Sequence, residues 1–214
     1  MFYPMAYDLL IATGETLYMV VISTLCAVVL GLPLGTLLYS SSHIKPMPKL
    51  HKILSIFINM SRSIPFIILL VAIIPFTRLI VGTSIGINAA IVPLTLGAAP
   101  FFARLVDNIY QSLSYGLIET GYSMGANTTQ IIQHILFPEA KPALIHAITV
   151  TAITLVNYSA MAGTVGAGGL GTLAINYGYQ RFNAGVMIST VIVLIIMVQC
   201  TQMLGDYLAK RFLH

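Results

Sequence analysis

Few residue patterns in this chain could bind a cofactor or support catalysis. Gly166-Ala-Gly168-Gly-Leu-Gly171 fits the GxGxxG pattern, but a dinucleotide site also needs a preceding strand and an acidic residue about 20 positions later. An apolar segment precedes this run, and neither Asp nor Glu occurs between Glu139 and Asp206. Close helix packing or a re-entrant turn is therefore the better interpretation of these glycines. We expect no cofactor or metal site in this chain.

Patterns for catalysis are missing from the sequence as well. There is no GxxxxGK[ST] loop, so the chain cannot hold ATP phosphates by that device. An intramembrane enzyme would need paired carboxylates, HExxH or an activated nucleophile, and the apolar segments contain none of these. The sequence predicts a protein that is not an enzyme and that takes its energy from another subunit.

The composition indicates an integral membrane protein. Of the 214 residues, 57% are hydrophobic and only 7% are charged, which is too little polar surface for a soluble domain. A spanning helix needs roughly 20 apolar residues, so we predict an all-α integral membrane protein of one domain, 1–214. The five predicted transmembrane helices are 16–39, 64–81, 88–103, 143–163 and 184–205. We expect no removable signal peptide, since the N-terminus lacks a basic region.

Basic residues predict the orientation, because Lys and Arg are retained on the cytoplasmic side. One set of loops and the tail contains Lys45, Lys49, Lys52, Arg104, Lys141, Lys210 and Arg211. The opposite side has only Arg78 and Arg181. The N-terminus is therefore predicted outside the membrane and the C-terminus in the cytoplasm.

The ends of the predicted spans carry further signals. Residues 8–13 could lie at the outer interface, and residues 47–61 could extend the second span as a cytoplasmic helix. Gly31 and Gly35 form a GxxxG pair, which is a weak indication of helix packing. His146 and Asn157 lie on one side of the fourth span, where either an interhelical hydrogen bond or a pathway would explain them.

The most informative segment is the predicted cytoplasmic loop 114–138, hereafter the coupling loop. It reads as two short helices about Gly125, which suits a left-handed turn. Asn127 with Gln130 resembles a capping box, and Pro138 should end the second helix. One face of that second helix carries an aliphatic stripe, formed by Ile131, Ile132, Ile135 and Leu136. Such a stripe would either lie on the membrane or fill a partner's groove, and the lack of Lys or Arg within 117–137 favours the partner.

The end of the fourth span is a candidate pathway or gate. Tyr158, Ser159 and Met161 adjoin the glycine-rich run, and Asn157 lies one residue earlier. A methionine thioether can adapt its shape to close a narrow apolar gate. The sequence thus predicts that the pathway passes these four residues.

The coupling loop resembles the EAA loop of permease subunits from ABC-type importers. That pattern runs Glu-Ala-Ala, three residues, Gly, nine residues, Ile-x-Leu-Pro. The matching positions here are Glu119, Gly125, Ile135 and Pro138. Thr120 and Gly121 replace the two alanines, and Phe137 replaces the leucine. The segments that resemble methionine-uptake permeases within this family are 62–70, 75–86, 89–104 and 158–171.

The resemblance implies a homodimeric permease of the bacterial inner (plasma) membrane that imports methionine by alternating access. Two ATP-binding cassette subunits would bind ATP and Mg²⁺ on the cytoplasmic side, and a substrate-binding lipoprotein would dock outside. No nucleic acid is expected as a partner. In the coupling loop, Glu119 and Gly125 would shape the surface that contacts the ATPase, and the aliphatic stripe would fill a groove of that subunit. Pro138 would set the angle at which the chain leaves the loop. A permease for another small solute, such as a different amino acid, is the alternative.

The charge asymmetry gives a prediction about topology. A cytoplasmic-type reporter fused after His214 should be active, and a reporter that requires export should be active when fused within 171–181. Enzymatic assays of the fusions in whole cells measure both. Reversed activities would contradict the five-span arrangement with an external N-terminus.

Overall fold

The computed structural model describes residues 2–212, and within that range every regular element is a helix. Met1, Leu213 and His214 belong to the predicted domain but lie outside the described residues. The α-helices are α1 (Phe2–His43), α2 (Pro48–Ser63), α3 (Phe66–Ala72), α4 (Ile74–Val81), α5 (Ile87–Ser112), α6 (Gly116–Ser123), α7 (Thr128–Gln130), α8 (Phe137–Ala162), α9 (Gly169–Leu173) and α10 (Ala184–Lys210). Wide π-helical turns occupy Ile131–Leu136 and Ala174–Tyr179, and a 3₁₀ turn occupies Gly163–Val165.

Four helices are long and apolar enough to cross a membrane, and they match four of the predicted spans. They are Ala6–His43, Ile87–Ser112, Thr128–Val165 and Ala184–Lys210. The helices extend beyond the apolar segments seen in the sequence. α1 has 42 residues and is about 63 Å long, roughly twice the hydrocarbon core. Residues 8–13 are therefore part of α1.

The predicted second span is not a single helix. Ile64 is extended, with φ −81° and ψ 123°, because a residue before proline disfavours the helical conformation, and Pro65 thus ends α2. A second break at Ile73 separates α3 from α4, which has Pro75 in its first turn. The predicted extension of this span is also wrong, since α2 lies at 100° to α3. α2 buries Ile58 and leaves Phe57 exposed.

Close contact between α1 and α5 forms the centre of the bundle. A Cβ added at Gly31 would lie 2.7 Å from the Ala99 carbonyl oxygen. At Gly35 a Cβ would overlap the carbonyl oxygen of Ala103. The GxxxG pair therefore lets two backbones approach, which confirms the interpretation as helix packing.

A buried carboxylate explains why α5 continues past the apolar segment that ends near Ala103. Asp107 is fully buried and accepts a bond of 2.9 Å from Arg104 Nη1. Gln111 Nε2 donates to the same oxygen at 3.0 Å. Arg104 Nη2 also donates to Asn59 Oδ1 at 2.7 Å. Both bonds to Asp107 are to Oδ2, and the buried Oδ1 has no partner among the described residues. Pairing with Arg104 offsets part of the cost of burying the charge, and the network joins α5 to α2.

The glycine-rich run packs against the N-terminal half of α1. Gly168 and Gly169 have φ of 90° and 71°, conformations that favour glycine. The Glu15 carboxylate accepts from the Gly169 N–H at 2.6 Å, and Thr16 Oγ1 accepts from the Leu170 N–H at 2.9 Å. A Cβ at Gly163 would overlap the backbone of Gly171. The interpretation as close packing is confirmed. Glu15, which is distant in sequence, accepts a hydrogen bond from the first turn of α9.

Candidate coupling loop and pathway face

The first half of the coupling loop ends in a regular glycine cap. Gly125 has φ 76°, its N–H donates to the Tyr122 carbonyl at 2.9 Å, and the Ala126 N–H donates to the Gly121 carbonyl at 3.0 Å. These two bonds define the Schellman motif, in which a left-handed residue closes the last helical turn. The predicted break at Gly125 is confirmed.

The chain then restarts with the predicted capping box. The Asn127 side-chain oxygen accepts from the Gln130 N–H at 2.9 Å, and the Gln130 side-chain oxygen accepts from the Asn127 N–H at 2.8 Å. Both bonds satisfy donors that an uncapped helix would leave free. The loop therefore has two helical segments of fixed direction around a short turn.

Pro138 does not end the second helix, contrary to the sequence prediction. The helix runs without interruption from Thr128 through Pro138 into α8. The wide turn Ile131–Leu136 precedes the proline, and the Phe137 N–H donates five residues back to Ile132. A proline normally breaks a helix because it lacks an N–H and its ring crowds the preceding turn. Here it falls in the first turn of α8, directly after a segment already widened to the five-residue spacing.

The aliphatic stripe lies inside this chain and does not form a free surface. Ile131 and Leu136 are fully buried and pack in one cluster with Ile118 and Ile44. Ile132 and Ile135 are partly buried against the same cluster. The prediction that all four aliphatic side chains are exposed for a partner's groove is therefore wrong for Ile131 and Leu136. The two halves of the loop fold against one another and cover these side chains.

Gly121 permits this folding. A Cβ at this position would lie 2.8 Å from Ile135 Cδ1 and 3.0 Å from Ile131 Cγ1. Glycine in place of the alanine of the EAA pattern thus gives the two aliphatic side chains room against α6. The sequence marked this position only as a departure from the pattern.

A single long-range hydrogen bond ties the loop to the end of α1. The Tyr122 hydroxyl donates to the Ile44 carbonyl at 2.6 Å across 78 positions of sequence. Ile44 follows directly after α1, in the connection to α2. Sequence reasoning missed this contact because nothing in the local pattern pairs the two segments.

The exposed face of the loop is centred on α6 and its cap. Glu119, Ser123 and Met124 are all exposed, and Met124 is 80% exposed. Tyr115, one residue before α6, is also exposed. A large apolar side chain beside a carboxylate is a surface that a protein partner can bury. This face is accessible to a partner, whereas Ile131 and Leu136 of the aliphatic stripe are not.

The predicted gate residues separate onto different sides of α8. Asn157 and Met161 are exposed, with Met161 48% exposed, so both lie on an open face of the isolated chain. Ser159 is buried, and its hydroxyl donates to the Val156 carbonyl at 2.7 Å. Ser159 therefore does not line this face, contrary to prediction. Tyr158 stacks on Phe66 with ring centroids 4.3 Å apart.

His146 lies on the same open side of α8 and has a partner on α10. Its Nδ1 is 3.6 Å from Asp206 Oδ1, too far for a good hydrogen bond. The helices meet closely beside this pair, because a Cβ at Gly205 would overlap the Thr149 side chain. Gln202 Nε2 also donates to Asp206 Oδ1 at 2.8 Å. His146 thus lies near a carboxylate of the neighbouring helix without a hydrogen bond to it, and no hydrogen-bond partner is seen for Asn157 in the described part of the chain.

Comparison with known proteins places this architecture in one family. Residues 13–214 match the model of the binding-protein-dependent transport system inner membrane component. A Vibrio cholerae protein named probable D-methionine transport system permease protein MetI is 49% identical over 209 residues, covering 96% of this chain and 92% of the relative. The Escherichia coli K12 protein named D-methionine transport system permease protein MetI is 53% identical over 162 residues, or 75% of each chain.

A solved structure agrees over nearly the whole length. It is described as inward-facing conformations of the MetNI methionine ABC transporter, and its matching chain is 50% identical. The superposition has a TM-score of 0.97 and covers 99% of both chains. This chain belongs to the family of inner membrane components of binding-protein-dependent transport systems.

Proposed function

We propose that this chain is the permease subunit of an ATP-driven methionine importer in the bacterial inner membrane. The observation that carries the proposal is the likeness to a methionine transporter over 99% of both chains at 50% identity. Relatives named as methionine permeases at a similar identity favour methionine over another small solute. The chain would supply the pathway, and separate subunits would bind ATP and Mg²⁺.

The coupling loop is the proposed contact with the ATPase subunits. Glu119 of α6 and Met124, which follows directly after α6, are exposed, while the inner side of α6 packs on Ile131 and Ile135. A partner that moves α6 would therefore move the start of the long helix with it. Glu119, Gly125 and Met124 act at the contact, and Ile131, Ile132, Ile135, Leu136 and Pro138 act as its internal support.

The pathway is proposed to lie between two copies of the chain, along the open face of α8. Asn157 and Met161 are the predicted gate residues that remain on this face. Polar side chains exposed within a spanning helix are unfavourable against lipid. A second copy or a water-filled pathway would remove that cost. A substrate-binding lipoprotein would deliver methionine on the side of the glycine-rich run.

Reconstitution tests the proposed substrate. Proteoliposomes containing the complete complex should take up labelled methionine only when both internal ATP and the external binding protein are present. Uptake with each common amino acid as competitor measures selectivity. Preferential uptake of a different solute would replace methionine as the substrate, and uptake without ATP would contradict the importer mechanism altogether.

Gly125 offers a test of the loop. Gly125→Val forces a β-branched residue into φ 76°, which should cost about 1–2 kcal/mol of local strain. No atom lies within 4 Å of the added Cβ, so the effect comes from the backbone and not from a clash. We expect weaker ATPase association or poorer coupling of ATP hydrolysis to uptake, with the spans still inserted.

The matched control is Gly125→Asn at the same position. Asn tolerates the left-handed conformation far better than valine, so this variant should retain most of the transport rate. Copurification of the ATPase and the ratio of methionine taken up to ATP hydrolysed compare the two. If both variants match the wild type, the geometry of this cap is not needed for coupling.

Met161 offers a test of the gate. Met161→Ala removes most of the side chain that would close the pathway at the dimer axis. We expect faster ATP hydrolysis without matching uptake, or leakage of methionine from loaded proteoliposomes. Met203→Ala is the control, because Met203 is an equally flexible, 69% exposed methionine on α10.

Crosslinking gives an independent check on Met161. Met161→Cys, in a background with Cys26 and Cys200 replaced by serine, should crosslink between the two copies in the resting complex. Met203→Cys should not. Crosslinks at 203 but none at 161 would place the gate elsewhere.

A further inference from the structure

A small cavity, hereafter the Arg62 cavity, lies where α2 ends and α3 begins, against α5 and α8. Its volume is about 120 Å³, which is room for several water-sized groups. Its wall includes Ser61, Arg62, Phe66, Gly97, Phe101 and Tyr158. Tyr158 lies three residues before Met161, so the two are neighbours on the surface of α8. The Arg62 cavity therefore adjoins the open face that carries Met161.

Arg62 is a charged side chain beside the apolar part of a spanning helix. Its guanidinium carbon lies 5.9 Å from the centre of the Phe101 ring, within the range of a cation–π contact. Phe101 and Gly97 belong to the segment of α5 that precedes Arg104 and contains no charged residue. Arginines beside such segments usually face the protein interior or a water-filled cavity, and they mark pathways for substrates and ions.

The guanidinium of Arg62 has donors to offer a ligand. Within residues 2–212, no acidic side chain forms an ion pair with Arg62. Arg104 differs, because it donates to Asp107 at 2.9 Å and to Asn59 at 2.7 Å. A guanidinium is planar, and its parallel N–H groups match the two oxygens of a carboxylate. The group that would best complete the Arg62 cavity is therefore a carboxylate.

The rest of the wall suits an apolar side chain. The rings of Phe66 and Tyr158 stack with centroids 4.3 Å apart and planes within 3° of parallel. Gly97 leaves space beside them, since a Cβ there would lie 3.3 Å from the Phe66 ring. Aromatic rings also make favourable contacts with a thioether sulfur. A free amino acid with an apolar, sulfur-containing side chain combines the two groups that this wall can bind.

We propose that the Arg62 cavity is a substrate subsite on the pathway, where the permease itself binds methionine. Arg62 pairs with the carboxylate of methionine, and the thioether side chain lies against the rings of Phe66 and Tyr158. This inference rests on the proposed function, and it assigns part of the solute recognition to the permease. Binding must be weak, because a solute that moves along a pathway has to leave each site again.

Protection of an introduced cysteine from alkylation tests the subsite. Ser61→Cys places a thiol in the wall, in a permease whose Cys26 and Cys200 are replaced by serine. The purified complex with its ATPase subunits reacts with N-ethylmaleimide, and mass spectrometry of the intact permease gives the rate. If the Kd is about 1 mM, methionine at about 10 mM occupies about nine-tenths of the sites and should slow alkylation about tenfold. Methionine amide lacks the carboxylate charge and should slow it by less than about twofold.

Matched variants assign the protection to Arg62. In the Ser61→Cys background, Arg62→Gln should weaken methionine binding about tenfold and thus reduce the protection to about twofold. Arg62→Lys keeps the charge but not the planar fork, so its protection should be intermediate. Arg78→Gln should keep the full protection, because Arg78 is exposed on α4 and does not line the cavity. The control for position is Ser63→Cys, an exposed site outside the wall, which methionine should not protect.

Three results would overturn the subsite. The first is equal protection by methionine and by its amide, which would show that the carboxylate is not recognised. The second is undiminished protection in the Arg62→Gln variant, as expected if Arg62 only reaches lipid headgroups. The third is equal protection of Ser63→Cys, which would indicate a general change in the complex.

The design separates this inference from misfolding and from the transport assignment. The comparison of methionine with its amide needs no substitution of Arg62, so it decides the question even if the Arg62 variants fail to assemble. Alkylation requires neither ATP nor uptake. A complex that takes up methionine without protection at Ser61→Cys would contradict the subsite alone, whereas preferential uptake of another solute would contradict the proposed function.

Discussion

The structure is governed by the requirement that a backbone interrupted within a bilayer find its hydrogen bonds inside the protein. The turn before α5 meets this requirement when the Gly86 N–H donates to the Gly166 carbonyl at 3.0 Å. The start of α9 meets it through Glu15 and Thr16 of α1. At the break between α3 and α4, Ile73 donates to Leu69 and accepts from Thr77. A distant part of the chain therefore completes the first two breaks, whereas local bonds to α3 and α4 complete the third.

The same environment explains why glycines mark the closest helix contacts. Lipid chains are as apolar as leucine, so helices in a bilayer gain little from burying apolar side chains against each other. Tight van der Waals contact takes over that role. Gly31 and Gly35 provide it between α1 and α5, and Gly205 provides it between α8 and α10. In each case a Cβ would meet the neighbouring helix, which makes these glycines part of the packing itself.

Sequence reasoning located what depends on local chemistry. The Gly125 cap and the Asn127 box were predictable because each requires particular residues within a few positions, and four spans were predictable from apolar length alone. Sequence reasoning ended the third span at residue 103, where the apolar segment stops. α5 continues to Ser112, because Arg104 and Gln111 bond to the buried Asp107 carboxylate. The helix through Pro138 was missed because the π-helical turn before it has no simple sequence signal.

The errors at the candidate site share one cause. Ile131 and Leu136 look like a free stripe when the loop is viewed as a separate helix, but Gly121 lets α6 cover them. Ser159 looks like a neighbour of Met161, yet two residues along a helix point to different sides.

The continuous helix from Thr128 to Ala162 has a mechanical consequence. A jointed connection would absorb a displacement at the loop, whereas an unbroken helix behaves as a lever. Thr128 and Met161 lie 33 residues apart on this helix, or about 50 Å. A tilt of about 10° around its midpoint would move both ends by about 4 Å in opposite directions. A small rotation at the coupling-loop end would thus be converted directly into a side-chain displacement at the Met161 end, without any change in helix conformation.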